Sequence, residues 1–168
     1  MLTEGTVAPN FSLLDHTSKT RNLTEFLNNW LVLFIFPEDN AENVLKSKTF
    51  KKCKEFTRNC GISIIGISSS TNKVIRNEFP NENLILLSDP EYNTIKKYTH
   101  IQNTSKQSIQ RVSYLIDPTG IIAKVYKDTD LTYNSQELFQ DIKNLLLINP
   151  YVDTKPISKI QYSRSLHT

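Results

Sequence analysis

The stretch of sequence that decides the fold covers residues 31–44 and reads LVLFIFPEDNAENV. Its first six residues are all apolar, and a short continuous apolar run predicts a buried β-strand. Such strands are typical of a sheet that helices cover on both faces. The polar residues from 37 onward predict a loop. A long helical pattern follows from about residue 42 to residue 60, and Gly61 is placed to stop that helix.

Strands and helices alternate on both sides of this stretch. Before it, residues 11–14 and 20–23 predict a hairpin, and a short helix at 22–27 has Asn22 or Thr24 as its N-cap. After it, the pattern predicts strands at 62–67, 84–87, 112–116 and 121–126, and helices at 74–79, 89–98 and from about 134 to 150.

Two proline-containing segments carry specific local predictions. Asp89 followed by Pro90 predicts a helix start, with the aspartate as N-cap and the proline in the first helical position. Residues 117–120 read DPTG, which is the pattern of a type I turn with glycine in fourth place. The second segment therefore predicts a hairpin between the last two strands.

The element order predicts an α/β protein with a central mixed sheet flanked by helices and preceded by an N-terminal hairpin. A thioredoxin-like arrangement fits this order, although the pattern alone also allows other α/β folds. We expect one domain over residues 1–150 and a polar C-terminal tail over 151–168.

Composition excludes several classes of function. The chain has 168 residues and a net charge of +3, with basic and acidic residues interleaved, so we expect no nucleic acid partner. The longest apolar run is far shorter than the ~20 residues that span a bilayer, so we expect no membrane association. The N-terminus does not resemble a secretory signal, and there are only two cysteines, which together predict a cytoplasmic protein.

Five segments in order resemble the peroxiredoxin family, most closely its bacterioferritin comigratory protein or peroxiredoxin Q type. They are GTVAPNFSL at 5–13, LVLFIFPEDN at 31–40, GISIIGIS at 61–68, LLSDP at 86–90 and RVSYLIDPTG at 111–120. The resemblance covers about residues 3–147. It implies a thioredoxin-like fold of the peroxiredoxin type and membership of an antioxidant family of thiol peroxidases.

The family's active site, as the resemblance implies it, is Pro-x-x-x-Thr/Ser-x-x-Cys together with a distant arginine. Only Pro37 and Arg111 match this pattern. Ala41 stands at the hydroxyl position, and Val44 stands at the position of the peroxide-reactive cysteine. Counting back from Gly61 places Asn43 there instead, so neither alignment gives a cysteine.

The remaining family positions also depart from the pattern. The resolving cysteine of this subgroup would fall at Thr49 or Lys48, and Glu42 replaces the proline that often follows the hydroxyl residue. Peroxide reduction by this route requires a thiolate. We therefore expect no family-type peroxidase activity and predict a binding or scaffold protein with a degenerate active site.

Arg111 would then lack the thiolate that it faces in the family. A semi-buried cation needs a partner, and we expect Glu42 or Asp39 to pair with it. The alternatives are a bound small anion near Arg111 and hydrogen bonds to backbone carbonyls or water. A binding protein of this kind would use Arg111, Glu42 and Pro37, and its partner would be a protein, a second copy of the chain or a small anion.

Cys53 and Cys60 are the only thiols and are weak redox candidates. Seven residues apart on one helix, they lie ~10.5 Å apart along its axis, whereas a disulfide needs Cα atoms within ~7 Å. We expect two structural cysteines. The alternative is a thiol-dependent antioxidant oxidoreductase that uses one of them in an altered geometry.

The other polar residues give weaker signals. Glu38, Asp39 and Glu42 predict a solvated acidic loop rather than an acid–base pair. The three histidines are isolated, so we expect no metal site and no other cofactor. Trp30, just before the central strand, is expected to serve packing.

Overall fold

In the part of the chain that the structure describes, seven strands form one central mixed β-sheet. The computed structural model describes residues 1–36, 51, 54–55, 58–78, 85–100, 111–127, 137–138 and 140–145. The strands are β1 (Ser12–Asp15), β2 (Thr20–Asn22), β3 (Leu31–Phe36), β4 (Ser63–Ser68), β5 (Ile85–Ser88), β6 (Val112–Ile116) and β7 (Ile122–Lys127). Across the sheet their order is β2-β1-β5-β4-β3-β6-β7.

Helices connect these strands. A 3₁₀ helix spans Leu23–Phe26, α1 spans Asn72–Glu78 and α2 spans Asn93–Thr99. The described residues within 51–59 and within 137–145 are also helical, and we call these parts helical segments 51–59 and 137–145. Each predicted strand is confirmed to within one residue at its described ends, and α1 begins two residues earlier than predicted.

The three central strands are parallel, which requires crossover connections between them. Leu31 to Phe36 of β3 pair with Ser63 to Ser68 of β4, and β4 pairs in turn with β5. β1 and β6 flank this parallel core and run antiparallel to it. The sheet is therefore mixed, and the carboxyl ends of β3, β4 and β5 meet at one end of the strands.

Strand β3 supplies both faces of the core, which explains its unbroken apolar sequence. Leu31, Leu33 and Ile35 pack into the core on one face, and Val32 and Phe34 pack into the core on the other. Burying an aliphatic side chain of this size stabilises the fold by about 1.5–3 kcal/mol. Helical segment 137–145 covers the second face with Leu138 and Ile142, and Trp30 packs against the same core, as expected.

The predicted start of the helix after β5 is wrong. Helix α2 begins at Asn93, because the Asp89 N–H donates to the Ser68 carbonyl at 2.8 Å and a turn intervenes. Pro90 lies in that turn, and Tyr92 has a left-handed conformation with φ of 61°. The buried Asp89 carboxylate still accepts hydrogen bonds from the N–H groups of Asn93, Thr94 and Ile95. Asp89 therefore caps α2 although it lies four residues before Asn93, the first residue of the helix.

Both hairpins of the sheet close through three-residue loops that an aspartate organises. The Asp15 N–H donates to Lys19 at the end of β1, and the Asp117 N–H donates to Ile121 at the end of β6. The turn predicted at 117–120 is confirmed by a 3.0 Å hydrogen bond from the Gly120 N–H to the Asp117 carbonyl.

Gly61 follows helical segment 51–59 with φ of 70°, as its predicted role as a helix stop requires. The start of that predicted helix and the tail 151–168 lie outside the described residues. Within the described part of the chain, no helix has both the length and the apolar character needed to cross a bilayer.

Candidate functional site at the carboxyl rim

Arg111 lies at the end of the sheet where the three parallel strands finish. It directly precedes Val112, which pairs with Ile35 near the end of β3. Phe36, Ser68 and Ser88 end β3, β4 and β5 at the same level, and we call this end the carboxyl rim. Ligands of open α/β sheets characteristically bind at this end of the strands. The half-buried Arg111 is therefore where a site would need it.

The residues expected around Arg111 belong to the loop and helix that follow β3. Pro37, Glu38, Asp39, Ala41, Glu42, Asn43, Val44, Lys48 and Thr49 all lie outside the described residues. The expected pairing of Arg111 with Glu42 or Asp39 therefore stays a prediction. The structure does show where that loop begins, because β3 ends at Phe36, which pairs with Ser68.

Buried serines lie at the carboxyl rim where β4 and β5 end, on the other side of β3 from Arg111. The Ser88 hydroxyl donates to the Ser70 carbonyl at 2.7 Å, and the Ser70 N–H donates to the Ser68 hydroxyl at 3.2 Å. These contacts tie the ends of β4 and β5 together. The sequence predicted only a loop with capping residues here, and the Thr71 carbonyl does accept the Ile75 N–H in the first turn of α1. The burial of the serines had no sequence signal, because it depends on the pairing of β4 with β5.

Cys60 lies at the opposite end of the sheet. It precedes Ser63, which begins β4 beside Leu31, and we call this end the amino rim. Cys60 packs against the core that contains Trp30 and Ile62, and burial raises the pKa of its thiol. From Ser63 to Ser68, five residues at 3.3 Å each make about 16 Å along the strand. Cys60 and Arg111 are therefore at different ends of the molecule, and Cys53 lies outside the described residues.

Solved structures define the class of fold. The chain is similar to the crystal structure of peroxidoxin BcpB from Mycobacterium tuberculosis, with a TM-score of 0.75 and 16% identity over 86% of this chain and 99% of that one. It is similar to a Cys-to-Ser variant of peroxiredoxin Q from Xylella fastidiosa, with a TM-score of 0.74 and 21% identity over 86% of this chain and 98% of that one. The protein has the thioredoxin-like fold of the peroxiredoxins.

The family follows from sequence comparison. The AhpC/TSA family model matches residues 5–125, and the chain belongs to that family. It is 27% identical over 132 residues to chloroplastic peroxiredoxin Q of Triticum aestivum, covering 76% of this chain and 60% of that protein. It is 24% identical over 135 residues to peroxiredoxin Bcp of Escherichia coli, covering 76% and 86%. The chain thus spans about three fifths of the wheat relative. The resemblance to the bacterioferritin comigratory and peroxiredoxin Q type is confirmed.

Proposed function

We propose that this AhpC/TSA-family protein has lost the family's peroxidase chemistry and acts as a binding or scaffold protein. The observation that carries the proposal is the distance between its described thiol and the rim that carries Arg111. Cys60 lies at the amino rim, about 16 Å of strand away from the carboxyl rim. A reactive sulfur has to lie beside the cation that stabilises it as a thiolate.

The chemistry of Cys60 points the same way. Peroxide reduction requires a thiolate, and burial raises the pKa of this thiol and so keeps it protonated near neutral pH. Helical segment 51–59 ends directly before Cys60, and the negative end of a helix does not favour a thiolate. Both effects oppose the alternative of a thiol-dependent antioxidant oxidoreductase at Cys60. Cys53, on the same predicted helix, stays as its other candidate.

Sequence positions supply the second support. Pro37 and Arg111 match the family's site, whereas Ala41, Val44 or Asn43, and Thr49 stand where its hydroxyl and two thiols would be. In this proposal the carboxyl rim binds instead of reacting. Its cation either pairs with Glu42 or Asp39, or holds a small anion beside Pro37. A protein partner or a second copy of the chain would dock at the carboxyl rim, and we expect it to do so in the cytoplasm.

Peroxide turnover tests the loss of catalysis. Purified protein with excess dithiothreitol and hydrogen peroxide should consume peroxide no faster than a Cys53→Ser/Cys60→Ser double variant does. Intact mass should show only slow, stoichiometric oxidation of the wild type. Sustained consumption that one single cysteine substitution abolishes would overturn the proposal and identify the nucleophile.

Anion binding tests the role of Arg111. If Arg111 holds a small anion, calorimetric titration should detect sulfate binding to the wild type and no binding to Arg111→Gln. Arg58→Gln is the matched control, because Arg58 is exposed on helical segment 51–59 near the amino rim. Heat that is equal in all three proteins would exclude an anion site at Arg111. In that case the pairing with Glu42 predicts that Glu42→Gln alone creates sulfate affinity.

A further inference from the structure

An apolar crevice of about 170 Å³ lies between helical segment 137–145 and the sheet. Its lining comes from the sheet and from that segment: Trp30, Ile62, Leu115, Ile142 and Leu145. Trp30 and Ile62 directly precede β3 and β4, which places the crevice at the amino rim. A cavity of about 150 Å³ can hold benzene, so one aliphatic side chain would fill this crevice. Arg111 lies at the opposite end of the sheet, and nothing about the crevice depends on the loss of peroxidase chemistry.

The crevice has a buried hydrogen-bond donor in its wall. The Trp30 Nε1 is buried, and no acceptor bonds to it within the part of the chain that the structure describes. The Trp30 carbonyl accepts the Ser63 N–H at 3.0 Å, so the two strands fix the residue in place. An indole N–H can only donate, and buried donors in folded proteins are nearly always paired. The crevice therefore suits an apolar side chain together with one acceptor.

Helical segment 137–145 runs toward this crevice. Its Asp141 accepts the Tyr126 hydroxyl at 2.9 Å, and Tyr126 pairs with Ser113 near the carboxyl end of the sheet. Leu145, four residues later, lines the crevice at the amino rim. The residues that follow therefore start at the crevice itself.

The sequence of those residues fits what the crevice lacks. Residues 146–150 read LLINP. On a continued helix, the positions four residues after the lining residues Ile142 and Leu145 share their face, and these positions are Leu146 and Asn149. Helical side chains lean toward the N-terminus, so both would cover the turn that lines the crevice. The leucine supplies an aliphatic side chain, and the asparagine amide supplies an acceptor oxygen.

Distances along the strand and the helix agree with this placement. Leu115 and Ile142 both line the crevice, and Leu115 pairs with Val32 of β3. Trp30 lies two residues before Val32, ~6.6 Å further toward the amino rim. Asn149 is seven residues after Ile142, ~10.5 Å further in the same direction along a helix. Because its side chain leans back toward Ile142, its amide oxygen reaches the level of the indole.

A segment of the same chain has an advantage over a separate molecule at this crevice. It is already attached at Leu145, whereas a peptide or a second copy would lose translational and rotational freedom on binding. The segment also needs burial, since three consecutive apolar residues are rarely left exposed. Pro150 fits the end of the contact, because a helix usually ends at or before the residue that precedes a proline.

We propose that residues 146–150 of the same chain dock over this crevice. Leu146 fills its volume, and the Asn149 side-chain oxygen accepts the Trp30 N–H. The polar tail 151–168 then starts at the amino rim, at the opposite end of the sheet from Arg111. A partner that binds the tail and a ligand that binds at Arg111 would therefore not compete for space.

A double-mutant cycle in the full chain tests the contact between Asn149 and Trp30. Asn149→Ala should lower the urea concentration at the midpoint of unfolding in the wild-type background. In a Trp30→Phe background, which has no donor, the same substitution should lower the midpoint by less than half as much. Equal decreases in the two backgrounds would overturn the proposal.

Fluorescence tests the docking of the segment, because Trp30 is the only tryptophan of the chain. Leu146→Asp, which brings a charge to the apolar crevice, should at least double the acrylamide quenching constant and shift the emission to longer wavelength. Leu147→Asp is the matched control and should behave as the wild type does, since Leu147 falls on the opposite face of the helical pattern. Quenching that is unchanged in Leu146→Asp, or raised equally in both variants, would contradict the docking.

Light scattering distinguishes the chain's own segment from that of a second copy. The wild type and Leu146→Asp should have the same mass in solution if the segment docks on its own chain. A wild-type dimer that Leu146→Asp converts to a monomer would show that the crevice holds the segment of a second copy. That result would overturn the intramolecular contact.

Discussion

The two hairpin turns of this protein have the same local design and different surroundings. In each turn the aspartate Oδ1 accepts the N–H and the hydroxyl of the threonine two residues on, and the N–H of the residue four on. The aspartates are Asp15 and Asp117. In each turn the residue three positions on has positive φ, 68° at Ser18 and 90° at Gly120. Because the two loops are so similar, any difference in stability or pKa between their aspartates reports the effect of the surroundings.

The environments differ in burial and in charge. Asp15 is 1% exposed, and its second carboxylate oxygen accepts the Arg21 Nε at 2.9 Å. Burial opposes its charge, but hydrogen bonds from Thr17, Arg21 and Lys19 outweigh burial and lower its pKa to about 2. Asp117 is only half-buried, and although burial opposes its charge too, the bonds from its own loop lower its pKa. The loop alone thus favours the carboxylate, and the arginine strengthens a pattern already present.

Removing each carboxylate is the strongest test of this comparison. Asp15→Ala should lower the free energy of unfolding by about 3 kcal/mol, because the buried N–H groups and Arg21 lose a charged acceptor. Asp117→Ala should cost about half as much, roughly 1.5 kcal/mol, since water can reach the donors around a half-buried carboxylate and replace it. Urea denaturation measures both. Equal losses would show that burial and Arg21 add nothing to the loop.

Acid should weaken the protein through Asp15. Its folded pKa of about 2 lies below its ordinary value of 3.8, so the charged form stabilises the fold. That stability is complete above about pH 5 and is lost as pH falls toward 2, in total about 2 kcal/mol. Between about pH 5 and 2, the free energy of unfolding should therefore fall less steeply with decreasing pH in Asp15→Asn than in the wild type. The same pH dependence in both proteins would show that groups other than Asp15 cause the loss of stability in acid.

The residue with positive φ gives a third test. Gly120→Ser should destabilise the protein by about 1 kcal/mol, because a side chain in the left-handed region costs 1–2 kcal/mol. Its added Cβ would also meet the Leu27 side chain at 3.4 Å. Ser18 already accepts this geometry, and its hydroxyl receives a hydrogen bond from Arg76. A thermal melt of Gly120→Ser that matches the wild type would mean that the two loops tolerate serine equally.

The smallest expected effect is at the arginine itself. Arg21→Gln should cost roughly 0.5 kcal/mol, since Arg21 is partly exposed and exposed ion pairs contribute 0.2–1 kcal/mol. The loop donors to Asp15 remain. Glu25→Gln, which removes the other partner of Arg21, is the control and should cost less. A loss above 2 kcal/mol in urea would show that Arg21, and not the loop, holds the Asp15 carboxylate.

Much of the fold could be predicted from local patterns. The apolar run at 31–36 gave β3 to the residue, and the DPTG pattern gave the second turn. The first hairpin was found but its turn was not, because serine occupies the position where glycine signals positive φ. The start of α2 was misplaced, since the bond that holds Asp89 to β4 is a long-range contact.

The candidate sites divide in the same way. The position of Arg111 followed from a motif, and the structure places it at the carboxyl rim beside the end of β3. The burial of Ser68, Ser70 and Ser88 at that rim had no sequence signal, because it depends on the pairing of β4 with β5. The opposite positions of Cys60 and Arg111 likewise follow from the parallel register of β3 and β4. Each of these features joins residues that are distant in the chain.

Helical segment 137–145 has a practical consequence for anyone who shortens this chain. The family model matches residues 5–125, yet Leu138 and Ile142 are each 1% exposed and cover the face that Val32 and Leu115 present. The Tyr126 hydroxyl also donates to Asp141 at 2.9 Å. A fragment trimmed to the matched boundaries would expose to water the apolar surface that Leu138 and Ile142 cover on this face, so expression plasmids should extend past residue 145.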